Sequence, residues 1–219
     1  MEEIRLKGEF LRIKDKDNYY YGGAQEWAPK KYVRDYGCGV VSSANVIKTL
    51  ECKGKDNIYG KEDFTKFCED LRKKYLPVIP KFGMNGLFMA LGMNAYFLFK
   101  SLPYRAFWGV KINKLYREME RMLREGIPVV LAIGPNFPNL FGKHKLSLYD
   151  KRNGKYAPTL ETKAHYVTVT GFDDKWIRIS SWGKQYFINR EEYALYIKKY
   201  SLPLFSNILL IKRKKQDYF

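Results

Sequence analysis

The hydrophobic pattern changes period at Gly126, and that change limits the possible folds more than any other feature of the chain. Upstream, apolar residues recur at helical spacing. Val40, Ala44 and Ile47 share one face of a helix predicted from Gly39 to Leu50, with Cys38 just ahead of it. Glu62–Tyr75 is the clearest helix. Phe64, Phe67, Cys68, Leu71 and Tyr75 form its stripe, Glu62 and Asp63 lie in its first turn, and Arg72, Lys73 and Lys74 in its last, as the helix dipole favours. An apolar, glycine-containing stretch over 84–96 predicts a buried helix. Asn113–Glu125 predicts another, amphipathic through Leu115, Met119, Met122 and Leu123, with Asn113 and Gly126 as its caps.

Downstream of Gly126 the elements are shorter and richer in β-branched residues. Pro128–Ile133, His165–Thr170, Trp176–Ser181, Lys184–Ile188 and Ser206–Ile211 read as strands, and Arg190–Tyr200 as a helix. The stretch 134–160, with its Pro, Asn, Gly and Lys, reads as a long surface loop bordering any cleft. Residues 1–34 are mixed, with strand-like pieces and a turn at Gly22-Gly23. The expected fold is α+β in a single domain over 1–219. A helical lobe covers about 36–126 and an antiparallel β lobe about 127–212.

Charges at Glu2, Glu3 and Arg5 interrupt the N-terminus, so no apolar signal core forms there. The longest clean apolar run, Ile127–Ile133, falls well short of the roughly 18 residues of a membrane helix. The expectation is a soluble, cytoplasmic protein without a membrane span. Three widely spaced cysteines make no disulfide framework. With no CxxC pair and only His144 and His165, they make no zinc motif either. No cofactor and no metal are implied.

The net charge is +17, from 40 Lys and Arg against 23 Asp and Glu. A solvated basic surface explains it most simply, since the cations are spread along the chain. The one dense cluster is Lys212-Arg213-Lys214-Lys215. The competing explanation is an acidic partner such as nucleic acid. The chain carries 18 Tyr, 14 Phe and 4 Trp, and Asn18–Tyr21 with Lys14 and Lys16 combines rings with cations. Against it, the chain has no zinc finger, RNP signature or P-loop.

Cys68 sits within an apolar helical stripe, which makes it a small buried hydrophobe, and Cys52 lies at a fraying helix end. Cys38 is flanked by Gly37 and Gly39 and begins a helix. The partial positive charge of a helix N-terminus favours thiolate, and glycine neighbours admit a substrate backbone. A catalytic thiol needs a base. His144 lies in the basic loop Gly142-Lys143-His144-Lys145, where nearby cations disfavour its protonated form. His165 opens a strand about 130 residues beyond Cys38, a separation found in papain-type enzymes.

The strand from His165 turns near Gly171-Phe172-Asp173-Asp174 and returns as Lys175–Trp182. A two-residue turn at Asp173-Asp174 sets Tyr166 opposite Ser181 and Val167 opposite Ser180. Both serines then lie beside His165, and a one-residue slip changes which of them faces inward. Asp173 and Asp174 sit at the far tip, too distant to orient the imidazole.

Gly37-Cys38-Gly39 opening a helix, Ala164-His165-Tyr166-Val167, and Ser180-Ser181-Trp182-Gly183 together resemble the papain-like cysteine peptidase clan. The likeness is greatest to its bacterial branch similar to double-glycine leader peptidases. The resemblance implies a papain-like α+β fold with Cys38 as nucleophile and His165 as base. It also places Ser180 where papain has the asparagine that orients the imidazole. A Gln upstream of the cysteine completes the oxyanion hole in that clan. Gln25, in Gly23-Ala24-Gln25-Glu26-Trp27, is the candidate, although its spacing of thirteen residues exceeds papain's. The implied activity is hydrolysis of a peptide or amide bond through an acyl-enzyme, beginning from a thiolate–imidazolium pair. The Ser180 departure motivates an alternative, a catalytically inactive module of the same fold that binds peptides.

Overall fold

The computed structural model describes residues 3–52, 57–139 and 142–214. Lys215, in the basic tail, lies outside them.

Along the chain, strands β1 (Ile4–Arg5), β2 (Arg12–Asp15) and β3 (Asn18–Tyr21) precede helices α1 (Lys31–Tyr36) and α2 (Cys38–Glu51). Strand β4 (Ile58–Gly60) leads into helices α3 (Lys61–Lys74) and α4 (Gly86–Phe99), strand β5 (Tyr104–Trp108) and helix α5 (Leu115–Arg124). Then come strands β6 (Val129–Ile133), β7 (Leu146–Arg152), β8 (Lys155–Thr162), β9 (His165–Phe172), β10 (Trp176–Ser181) and β11 (Lys184–Asn189). Helix α6 (Arg190–Tyr200) and strand β12 (Ile208–Arg213) close the chain. The fold is α+β.

Nine of these strands form one antiparallel sheet, ordered β5-β12-β6-β9-β10-β11-β7-β8, with β1 pairing the far end of β9. A three-stranded sheet, β3-β2-β4, stands beside it. Strand β6 is the continuous apolar run Val-Val-Leu-Ala-Ile. It is buried at every position, as a central strand covered on both faces must be. Helix α2 packs against β9 and β6, and α5 against β1, β6 and β12. One hydrophobic cluster runs through the molecule and joins Ile47 and Phe64 from the first half to Val169 and Ile208 from the second.

Two expectations change. The stretch 134–160 is not a loop throughout. It holds β7 and most of β8, a hairpin turning at Asn153-Gly154, both in the left-handed region that a tight hairpin turn requires. Strand β8 is exposed along most of its length, so it leaves no apolar alternation to read. The division at Gly126 is also incomplete. Strand β5 lies before it, yet pairs with β12 at the edge of the large sheet.

Candidate functional site

Gly37 is the N-cap of α2 and contributes no side chain, so nothing covers the first turn of that helix from the cap position. Cys38 is its first residue. The sulfur lies near the backbone N–H groups of Tyr166, Gly39 and Cys38 itself, each of which favours thiolate. Desolvation of the half-buried side chain works against them and is the larger effect. The Cys38 pKa is raised above that of an ordinary thiol.

His165 is the first residue of β9 and is buried. Its Nε2 lies 2.8 Å from the Ser181 hydroxyl. The Trp182 ring stacks on the imidazole with centroids 4.4 Å apart and planes 9° from parallel. Burial lowers the His165 pKa to about 4. Both groups therefore rest uncharged at neutral pH. The preformed ion pair expected from the helix dipole is disfavoured here by desolvation.

The serine beside His165 is Ser181, not Ser180. The register explains the change. Asp173 N–H donates to the Trp176 carbonyl, so the turn is Asp174-Lys175, one residue later than expected. A bulge between Arg178 and Ile179 then shifts the pairing, and Ser180 faces Thr168 instead of Val167. Side chains alternate along a strand, so this slip moves Ser180 away from the imidazole and brings Ser181 to it. The Ser180 hydroxyl donates instead to the Tyr21 carbonyl at 2.6 Å.

That bond belongs to a polar clamp behind the site. Asn45, two turns along α2 from Cys38, accepts from Gly23 N–H at 2.9 Å and donates to the Thr168 hydroxyl at 3.2 Å. Tyr21 N–H donates to the Gly183 carbonyl, and Gly183 N–H to the Gly23 carbonyl. Gly22 must be glycine. Its φ is +75°, and a Cβ there would lie 2.4 Å from the Ser180 oxygen. The clamp fixes the segment that leads to Gln25, which sits in a single 3-10 turn, Gln25–Trp27. The Gln25 amide donates to the Arg34 carbonyl, which uses one of its two protons.

Gln25, Cys38, His165, Ser180, Ser181 and Trp182 line one narrow cleft that opens to solvent. All four residues singled out by sequence are among them. Asn45 and Trp182 are the positions the sequence reading did not assign. Asn45 lies seven residues after the cysteine, a spacing that sets both on the same side of α2. Trp182 takes a left-handed φ of 48° as the first central residue of the β10–β11 turn, a conformation rare for a bulky side chain, and that turn delivers its ring to His165.

The remaining candidates lie elsewhere. His144 is exposed and stacks on Tyr200 at 3.8 Å. Cys52 meets the Tyr59 hydroxyl at 3.0 Å, and burial pushes the Cys68 thiol well above its usual range. Of the aromatic stretch Asn18–Tyr21, Tyr20 and Tyr21 pack against the core and Tyr19 alone is largely exposed. Among the described residues no group of three His, Cys, Asp or Glu side chains is placed to hold a metal ion. No protein-family model, no curated protein and no solved structure matches the chain.

Proposed function

We propose that the protein is a papain-like cysteine hydrolase of the peptidase type, which cleaves a peptide or amide bond through an acyl-enzyme on Cys38. The observation that carries this reading is the shared cleft. It joins a cysteine at a helix N-terminus, a histidine fixed at one ring nitrogen and across one face, and a glutamine amide.

The hydrogen bond to Ser181 engages Nε2 of His165 and leaves Nδ1 as the base. Cys38 Sγ attacks the carbonyl carbon while its proton passes to Nδ1. Because both groups rest neutral, proton transfer accompanies attack rather than preceding it. The carbonyl oxygen becomes an oxyanion within reach of the Cys38 N–H and the second Gln25 amide proton; losing one such donor costs about 10²–10³ in rate. His165 then gives its proton to the leaving amine as the C–N bond breaks. Water, deprotonated by the same imidazole, releases the acid and restores the thiol. Trp182 shields the His165–Ser181 bond from solvent and keeps the ring in its plane.

The raised thiol and lowered imidazole pKa, with Cys38 half-buried and His165 buried, favour a second reading, a cleft that binds peptides without turnover. One experiment separates the two. A diverse peptide library is incubated with the protein and read by mass spectrometry, alongside labelling by a peptidyl vinyl sulfone. The hydrolase reading expects cleavage and labelling at Cys38, both abolished in Cys38→Ala. Peptides retained but uncut, with Cys38 unlabelled, would leave the binding module. Cleavage that persists in Cys38→Ala would remove the mechanism.

A further inference from the structure

Helix α4 is apolar on both its inner and its outer side. Its inner side, with Met89, Met93, Tyr96 and Phe97, belongs to the core. Its outer side has no such explanation. The exposed positions on the helix are Leu87, Phe88, Leu91, Ala95, Leu98 and Phe99, all apolar. At 3.6 residues per turn they fall within one arc of about 120°. Their exposure is large: 65% at Leu91, 75% at Leu98 and 71% at Phe99. Phe82, in the turn leading into the helix, is 84% exposed. The helix rises about 20 Å, so the arc forms a ridge of a size that monomeric proteins seldom leave open to water.

Along the chain, the charge that flanks this ridge has one sign; the carboxylate bonded to α4, Glu51, is held by Tyr96 on the inner side. Between Asp70 and Glu118 the chain holds nine Lys and Arg and no acidic residue. Lys81 and Lys100 stand exposed just outside its two ends. On its flank, Asn94 bonds both backbone groups of Ala106 at 2.8 Å and ties α4 to the edge strand β5. The neighbours of Ala106 on that strand, Arg105 and Phe107, are both exposed, so a cation and a further ring extend the surface.

We infer that the α4 ridge docks on an anionic phospholipid surface. The occupant has to be apolar at its centre and negative at its margins. A second copy of the chain fails this requirement, because a two-fold contact would lay the exposed Lys81, Lys100 and Arg105 at the margins of the ridge against the same cations of the other copy. A bilayer surface meets it. The acyl boundary receives Leu91, Leu98 and Phe99, and headgroup phosphates receive the lysine ammonium groups on their long stems. The helix lies on the surface; no helix among the described residues is long and apolar enough to cross a membrane. Docking also brings the cleft close to lipid. The Tyr166 hydroxyl donates to the Met84 carbonyl, and Met84 and Met89 lie against Gly39 at the start of α2.

Flotation of the full chain with vesicles of equal parts phosphatidylcholine and phosphatidylglycerol, and with phosphatidylcholine alone, tests the inference. The protein should float with the first and stay behind with the second. The double variant Leu91→Gln/Leu98→Gln keeps the net charge and leaves the core untouched; it should partition at least about tenfold more weakly. The control Leu160→Gln/Leu195→Gln, at exposed leucines on β8 and α6, should float like the wild type. Failure of the wild type to float overturns the inference. So does equal flotation of the α4 variant, which would show that charge alone drives binding. A wild-type dimer in sedimentation equilibrium that the α4 variant splits would assign the ridge to a second copy instead.

Discussion

Around His165 the side chains are held from several directions, with Ser181 at one ring nitrogen, Trp182 across the face, and Asn45, Thr168 and Ser180 bracing the loop behind. Along α4 the outward side chains from Leu87 to Phe99 face solvent. The two regions touch at Gly39 and Met89, yet they follow opposite rules. In the cleft, polar groups are buried, and each needs a partner within the chain. On the ridge, apolar groups are exposed, and what they lack lies outside the chain. Substitutions in the cleft should therefore damage the folded protein or its chemistry. Substitutions on the ridge should leave both intact.

The largest expected effect tests the cleft's chemistry. His165→Ala should lower acylation of Cys38 by about 10²–10⁴, the range for loss of a positioned general base. Leu91→Gln/Leu98→Gln should acylate at the wild-type rate against a soluble substrate. Equal loss in both would mean that the two regions are not independent.

Next in size is a dependence of stability on pH. The folded His165 titrates at about 4, below its ordinary 6.5. Between these values the unfolded chain takes up a proton that the folded one refuses, so acid favours unfolding. The stabilisation is fully present above pH 6.5 and is lost as pH falls toward 4, by roughly 3 kcal/mol. Urea denaturation at several pH values should show this loss in the wild type and in the ridge variant, and a much flatter dependence in His165→Gln.

Smaller effects should separate the two adjacent serines. Ser181→Ala frees the imidazole and should lower the rate about tenfold, with stability less affected. Ser180→Ala leaves the Tyr21 carbonyl without its donor and should cost about 1–2 kcal/mol of stability. Matching kinetic and denaturation profiles for the two variants would contradict the register. The smallest effect belongs to the ridge, where Leu91→Gln/Leu98→Gln should change unfolding stability by no more than about 0.5 kcal/mol per site.

Much of the fold was legible because burial imposes a period on the chain. The stripe of Phe64 and Leu71, the run Val129–Ile133 and the alternation of β10 each bury one pattern, and each pattern belongs to one kind of element. Strand β8 was not legible, because seven of its eight residues are not buried and pattern follows burial. The Asn153-Gly154 pair carried the only signal of that hairpin, and composition outweighed it in the reading of 134–160 as a loop.

The candidate site divides in the same way. Cys38 and His165 stand out by local context: glycines on both sides of a helix-opening thiol, and one of only two histidines placed at the head of a strand. Asn45 shares the side of α2 that carries Cys38, but its partners Gly23 and Thr168 come from other elements and meet it only when the sheet is in position.

By itself, then, the order of residues determined helices α2 to α5, strand β6, strands β9 to β12 and the candidate pair Cys38 and His165. Each of these follows from spacing and local chemistry along the chain. Tertiary structure alone decided which serine meets the imidazole, that burial leaves thiol and imidazole uncharged, and that one face of α4 stays open. A strand's register depends on a turn and a bulge far from the serine, a pKa depends on everything packed around the group, and exposure depends on which neighbours are missing.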